Sequence, residues 1–203
     1  MLDSQRVIFH GEEFHLSDKA LFWKHQSVLL VADVHLGKAH HFQKEGLPVS
    51  SAIEDRNLDR LDALIAHWNP SKLLFLGDLF HARDNEMNAR FAQWLEKNQT
   101  TRCSLISGNH DRYNGFSHPL MSILDEHLIS GIRLKHEPSR DPESPEICGH
   151  IHPAVRLRGK GRSALRLPAL VIKGHQMIVP AFGEFTGTHV MELSEGDQVF
   201  PVT

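Results

Sequence analysis

Four short polar groups, each directly behind a short apolar run, constrain this chain more than any other feature. Asp33-Val34-His35 follows Val28–Val31, and Gly77-Asp78 follows Leu73–Leu76. Gly108-Asn109-His110-Asp111 follows Leu105–Ile106, and Gly149-His150-Ile151-His152 follows Ile147–Cys148. A short apolar run bounded by glycine or polar residues reads as a buried strand. In sheets assembled from β-α units, ligands gather outside the carboxyl ends of the strands. Four such ends would bring Asp, His, Asp, Asn, His and His to one crevice.

Those residue types suit a pair of divalent cations. Two ions about 3.5–4 Å apart clamp the attacking and leaving oxygens of a phosphate ester. Holding them that close needs an anionic bridge, and Asp78 is the natural candidate because a carboxylate spreads its charge over both ions. Mixed imidazole, carboxylate and amide ligation favours Mn, with Fe or Zn as alternatives, over Mg or Ca, which prefer oxygen shells. Neither cysteine is placed as a ligand, so no structural zinc knuckle is expected. One D-x-H or G-D alone is usually a cap or a turn. The ordered series is what points to metal chemistry.

The series resembles the calcineurin-like metallophosphoesterase superfamily, whose pattern is D-x-H, G-D, G-N-H-[DE], a lone His and G-H-x-H, and the match runs from Val28 to His152. Gly77-Asp78-Leu79-Phe80-His81 is similar to the form in the double-strand-break repair nuclease branch. It departs from the protein Ser/Thr phosphatases, because His81 replaces their second Asp. Ala32-Asp33-Val34-His35-Leu36-Gly37-Lys38, Glu45-Gly46-Leu47-Pro48, His136-Glu137-Pro138 and Pro180-Ala181-Phe182-Gly183 look like the bacterial DNA-ligase-associated metallophosphoesterases.

The resemblance implies two metal shells: Asp33, His35, Asp78 and His152 for the first ion, and Asp78, Asn109, His136 and His150 for the second. On sequence alone His136 closes the run Ile132-Arg133-Leu134-Lys135 and reads as an exposed residue; only the resemblance makes it a ligand. His110 is expected to stay off the metals and face the phosphate. There it would stabilise charge or protonate the leaving alkoxide. His110 and Asp78 are thus the catalytic candidates, with the group that orients His110 left open by His81. A DNA ligase, a helicase and a nuclease of a repair set are the partners the resemblance implies.

The 203 residues are expected to form a single domain, 1–203, with 40% hydrophobic and 23% charged residues, ordinary for a globular protein. No apolar stretch approaches the roughly 18 residues that span a bilayer, and Met1 to Gln5 lacks a signal-peptide pattern. Cys103 and Cys148 read as buried free thiols in a reducing cytosol. Val7–Phe9, Phe14–Leu16 and Ala20–Trp23 suggest short strands. Ser51-Ala52-Ile53-Glu54 has capping-box spacing ahead of a helix to His67, carried by Leu58, Leu61, Leu64 and Ile65. Met87, Phe91, Trp94 and Leu95 mark a second helix, and Pro119 to Glu126 a third. After His150 come the short runs Leu170–Ile172, Met177–Val179, Val190–Leu193 and Val199–Val202. That change fits an α/β fold, a two-sheet β-sandwich flanked by helices. The resemblance implies the same architecture, in its four-layer αββα form.

A net charge of −3 argues against a chain that grips nucleic acid with its whole surface. Arg156, Arg158, Lys160, Arg162, Arg166 and Lys173, however, lie in a stretch with no Asp or Glu. The first four alternate around Gly159 and Gly161 at the expected tip of a hairpin that starts beside His152. Such charges either protect an edge strand or contact a polyanion next to the metals. Lys38, Arg83 and Arg112 adjoin the motifs and could also touch phosphate, and His40 and His41 could line the substrate side. The reading is a two-metal phosphoesterase acting on phosphodiesters of nucleic acid, DNA first. The alternative is a small-molecule phosphodiesterase or pyrophosphatase for nucleotides or a lipid headgroup. A scaffold that had lost catalysis should show broken ligand positions, and none is broken.

Overall fold

Strand alternation decides where each core side chain points. In β4 (Val28–Val31), Leu29 and Val31 join one buried cluster while Val28 and Leu30 join another. β5 (Lys72–Phe75) splits the same way, Leu73 and Phe75 against Leu74. A strand buried on both faces needs an unbroken apolar run. The first cluster holds Leu58, Leu61 and Leu64 of α2 (Ala52–Trp68) and Met87, Phe91 and Trp94 of α3 (Asn85–Lys97). The second holds Ile132, Ile147, Leu170 and Met177 from another sheet. One face of the first sheet therefore carries helices and the other carries a second sheet.

The computed structural model describes residues 3–50, 52–83, 85–159 and 164–202. The first sheet has seven strands in chain order. β1 (Gln5–Phe9), β2 (Glu12–Ser17), β3 (Ala20–Trp23) and β4 pair antiparallel. From β4 the sheet turns parallel through β5, β6 (Arg102–Ile106) and β7 (Met121–Leu124). The second sheet includes β8 (His127–Ile129), β9 (Ile132–Leu134), β10 (Glu146–Cys148), β11 (Pro153–Arg158), β12 (Ala164–Lys173), β13 (Gln176–Ile178) and β14 (His189–Val190). Its order is β14-β11-β12-β13-β10-β9-β8, and β15 (Gln198–Pro201) pairs with β12. β9, β10 and β13 run parallel. In both sheets it is the parallel strands that end at the polar groups.

The sandwich and its flanking helices are as expected, with one refinement. Among the described residues every helix precedes β7. The far face of the second sheet is closed by Val155, Ala169 and Val171 with Met191 and Val199, and among the described residues no helix lies in that part of the chain. The helix expected over 119–126 is instead β7, with Cys103 opposite Met121 and Ile106 opposite Leu124. Of the four residues of β7 only Met121 is buried, so a helix would gain little apolar contact there. A strand satisfies the N–H and C=O groups along the open edge of β6. Two short helices were not foreseen, α1 (Lys38–Lys44) and α4 (Asp111–Asn114). Ser51, the expected cap of α2, lies outside the described residues. Cys103 and Cys148 are buried and free. Among the described residues no helix is long and apolar enough to cross a membrane.

Candidate metal centre

The polar groups converge on one crevice through backbone that is locally unusual. Asp33, His35, Asp78, His150 and His152 all have φ between 50° and 66°. Left-handed backbone is uncommon outside glycine, and where it clusters it marks a functional site. Neighbouring glycines clear the space between the loops. A Cβ on Gly77, itself at φ 86°, would fall on the His136 ring, and one on Gly108 would fall on the Asp78 carboxylate. The glycine of each motif is there because a candidate ligand from another strand occupies its side-chain position.

Two clusters result. Asp33, His35 and His152 form one, and Asp78, His136 and His150 form the other. Asp78 lies between them. Its Oδ1 is 3.5 Å from His136 Nε2, and its Oδ2 is 3.9 Å from His35 Nε2. Asp33 is fully buried; its Oδ2 accepts the His150 N–H at 2.9 Å, while its Oδ1 has no hydrogen-bond partner and sits 3.5 Å from His152 Nε2. A buried carboxylate oxygen without a partner is unfavourable unless a cation satisfies it. The rings are aimed accordingly. His136 Nδ1 donates to the Leu76 carbonyl at 2.9 Å and His152 Nδ1 to the Gly187 carbonyl at 3.1 Å, which turns each Nε2 lone pair inward. His150 Nδ1 lies 3.1 Å from His136 Nε2, a spacing that suits two imidazoles on one ion. The donor set fits two divalent cations.

Electrostatics agrees with that fit. Burial, reinforced by the charge of Lys38, pushes the His35 pKa down to about 2, so the ring is a neutral donor at any ordinary pH. Burial opposes the charged form of His152 too, but the Asp33 carboxylate beside it outweighs burial and raises that pKa. Lys38, half-buried, is lowered by burial against the opposing pull of Asp78.

His110 stands beside the clusters, with its Nε2 4.0 Å from Asp78 Oδ2. Its Nδ1 donates to the His81 backbone carbonyl at 2.6 Å, and its ring stacks on the His81 ring at 5.1 Å. The orienting partner left open above is therefore a carbonyl and not a carboxylate. The His81 side chain, which sequence reasoning did not place in the site, forms a third imidazole group with His35 and His110. Burial holds its pKa near 4, and His41 packs against it. Asp111 has a structural role that was also missed. It accepts the Phe80 N–H on Oδ1 at 3.0 Å and the Gly108 N–H on Oδ2 at 2.9 Å, pinning the second motif to the third.

The remaining predicted residues divide. Asn109 is exposed and lines a recess with Arg112, Lys135 and His136. Lys38 lines another with His35, and Arg83 is exposed. Arg156 is exposed on β11 opposite Arg166 of β12, so the described part of the basic segment forms an antiparallel strand pair that starts directly after His152. Lys160 and Arg162 lie outside the described residues, as does the side chain of Arg158.

Residues 27–144 match the family model described as calcineurin-like phosphoesterase. The structure is similar to that of the nuclease MPE of Pseudomonas putida, with TM-score 0.84 and 33% identity over 98% of this chain and 96% of that one. Yfce, a phosphoesterase from E. coli, matches with TM-score 0.40 and 15% identity over 75% of this chain and 77% of that one. The search of curated proteins found no match.

Proposed function

Because this chain belongs to the calcineurin-like phosphoesterase family and is a metal-dependent phosphoesterase, we propose that it is a two-metal nuclease cutting phosphodiester bonds in DNA. The carrying observation is the Asp78 carboxylate, one oxygen toward His136 and the other toward His35. That is the disposition a bridging ligand requires. Asp33, His35, Asp78 and His152 would hold one ion, and Asp78, Asn109, His136 and His150 the other. Manganese suits this mixed donor set, with iron or zinc as alternatives. Divalent cations held there would supply Lewis-acid chemistry, activation of water near neutral pH and neutralisation of phosphate charge.

The chain's own residues do the rest. With Nδ1–H committed to the His81 carbonyl, His110 presents Nε2 to the crevice. Once protonated, that nitrogen is the donor that would stabilise the phosphoryl oxygens or protonate the leaving alkoxide. The Asp78 Oδ1 accepts the His110 backbone N–H at 3.0 Å, fixing where the ring begins. Lys38, Arg83 and Arg112 add positive charge around the mouth of the site.

DNA as substrate is supported by the likeness to a protein named as a nuclease and by the basic hairpin beside His152. Service in a repair set with a DNA ligase, a helicase and a second nuclease follows the ligase-associated resemblance of the motifs, and a cytosolic setting accords with the two free thiols. Counterion release makes the log-log salt slope of DNA affinity track the phosphates neutralised. Reversing Arg156, Arg158, Lys160 and Arg162 to Glu should weaken DNA binding and flatten that slope by about one unit per lost phosphate contact. A parent-like slope, with DNA cut at the parent rate, would favour a small nucleotide ester as the substrate.

A further inference from the structure

Two aromatic rings stand at the rim of the metal centre with no part in the buried clusters. Phe185 is 46% exposed. Its ring centroid is 6.2 Å from that of Phe42, a half-buried residue of α1, at an interplanar angle of 60°. Phe185 lines the same shallow recess as His35 and Lys38. Two residues further on, the Gly187 carbonyl holds His152. The ring therefore stands beside two candidate metal ligands.

The segment is also held in place. The Glu184 N–H donates to Asn57 Oδ1 at 3.3 Å, and Arg56 Nε pairs with the Glu184 carboxylate at 2.8 Å. Thr186 Oγ1 donates to the Gly183 carbonyl at 2.8 Å. A phenylalanine fixed at both sides yet left half in water is not slack in the loop. It keeps apolar surface exposed where core packing would remove it.

We propose that Phe185, buttressed by Phe42, is a stacking platform for the nucleobase next to the scissile phosphate. Every base has a π-face, so an exposed aromatic ring binds unpaired bases with little sequence preference. The neighbouring Lys38 supplies charge for the adjoining phosphate. The inference rests on the nucleic-acid reading above and adds to it which part of a nucleotide, besides its phosphate, the enzyme grips.

Two chromogenic diesters test it on the manganese-loaded enzyme: thymidine 5′-p-nitrophenyl phosphate, and methyl p-nitrophenyl phosphate, which has no base. The parent should prefer the thymidine ester, chiefly through KM, by a factor between roughly 5 and 150, the range of one base–aromatic stack. Phe185→Ala, and Phe185→Leu, which keeps the bulk without the flat face, should bring that ratio close to one. Phe185→Trp should restore it. In parallel, anisotropy of labelled oligothymidylate in EDTA should show weaker binding for Ala and Leu and parent-like binding for Trp. Parent-like ratios in both the Ala and Leu variants, or a parent indifferent to the base, would overturn the platform. Failure of the parent to cut DNA, with small esters still hydrolysed, would instead remove the nucleic-acid reading beneath it.

Discussion

Replacing Asp111 with alanine should damage stability and catalysis together. The residue is buried, and its two oxygens accept the backbone N–H groups of Phe80 and Gly108, which are themselves buried. Alanine strands both donors. Each unpaired buried donor costs about 1–3 kcal/mol, so the pair sets a range of about 2–6 kcal/mol. Relief of the carboxylate's own burial offsets part of this, because burial raises the Asp111 pKa above its ordinary 3.8. The expected loss is therefore in the lower half, about 2–4 kcal/mol. Asp111→Asn keeps one acceptor and should lose about half as much. Urea unfolding of EDTA-treated protein measures this without the stabilisation that bound metal adds. Turnover of bis-p-nitrophenyl phosphate should fall as well, since Gly108 and Phe80 begin the loops that place Asn109, His110 and the His81 carbonyl. An alanine variant within about 0.5 kcal/mol of the parent, the range of a neutral surface change, would refute the pin.

Asp78→Asn should remove more bound manganese than His35→Ala or His150→Ala, because it faces both clusters; metal counting on purified variants decides, and two ions with near-normal turnover would exclude the bridge. His110→Asn should retain both ions and lose about 10²–10⁴ in turnover if the ring is a general acid, with the smallest loss on p-nitrophenolate esters; equal losses on poor and good leaving groups would indicate charge stabilisation alone. Burial would raise the Glu146 pKa, but the Ser139 hydroxyl and N–H and the Gln176 amide outweigh it and hold it below its ordinary 4.5. Its ionised form therefore stabilises the fold above pH 4.5, and that contribution fades as pH falls through the lower folded value. Glu146→Gln should flatten this acid limb in unfolding titrations, and an unchanged limb would argue otherwise.

The candidate ligands were legible because strand and chemistry coincide in them: β4, β5, β6 and β10 are each followed closely by a candidate metal ligand. His136 could not be placed from the run before it. Its role depends on β9 lying parallel to β10, a neighbour relation that no local pattern encodes. The same holds for the His81 carbonyl and for Asp111, which act through backbone contacts between loops. α1 has no apolar period and starts after Gly37 at φ 84°, so nothing in its residues announced a helix. The segment 119–126 offered a short apolar run that suits helix or strand equally, and the open edge of β6 decided between them.

The left-handed backbone at Asp33, His35, Asp78, His150 and His152 has an evolutionary consequence. For a residue with a side chain that conformation costs about 1–2 kcal/mol relative to right-handed backbone. Glycine would relieve that backbone strain at each position, and at Asp33 it would also remove the buried Oδ1 that has no hydrogen-bond partner, but it would strand the His150 and His110 N–H groups that Asp33 and Asp78 accept. At these strand ends backbone strain and the proposed metal binding therefore pull in opposite directions. If the proposed site is right, selection for activity keeps residues there that carry this strain. A collection of variants sorted purely for thermal endurance should accordingly drift toward empty, inactive copies, with the losses concentrated at these strand ends.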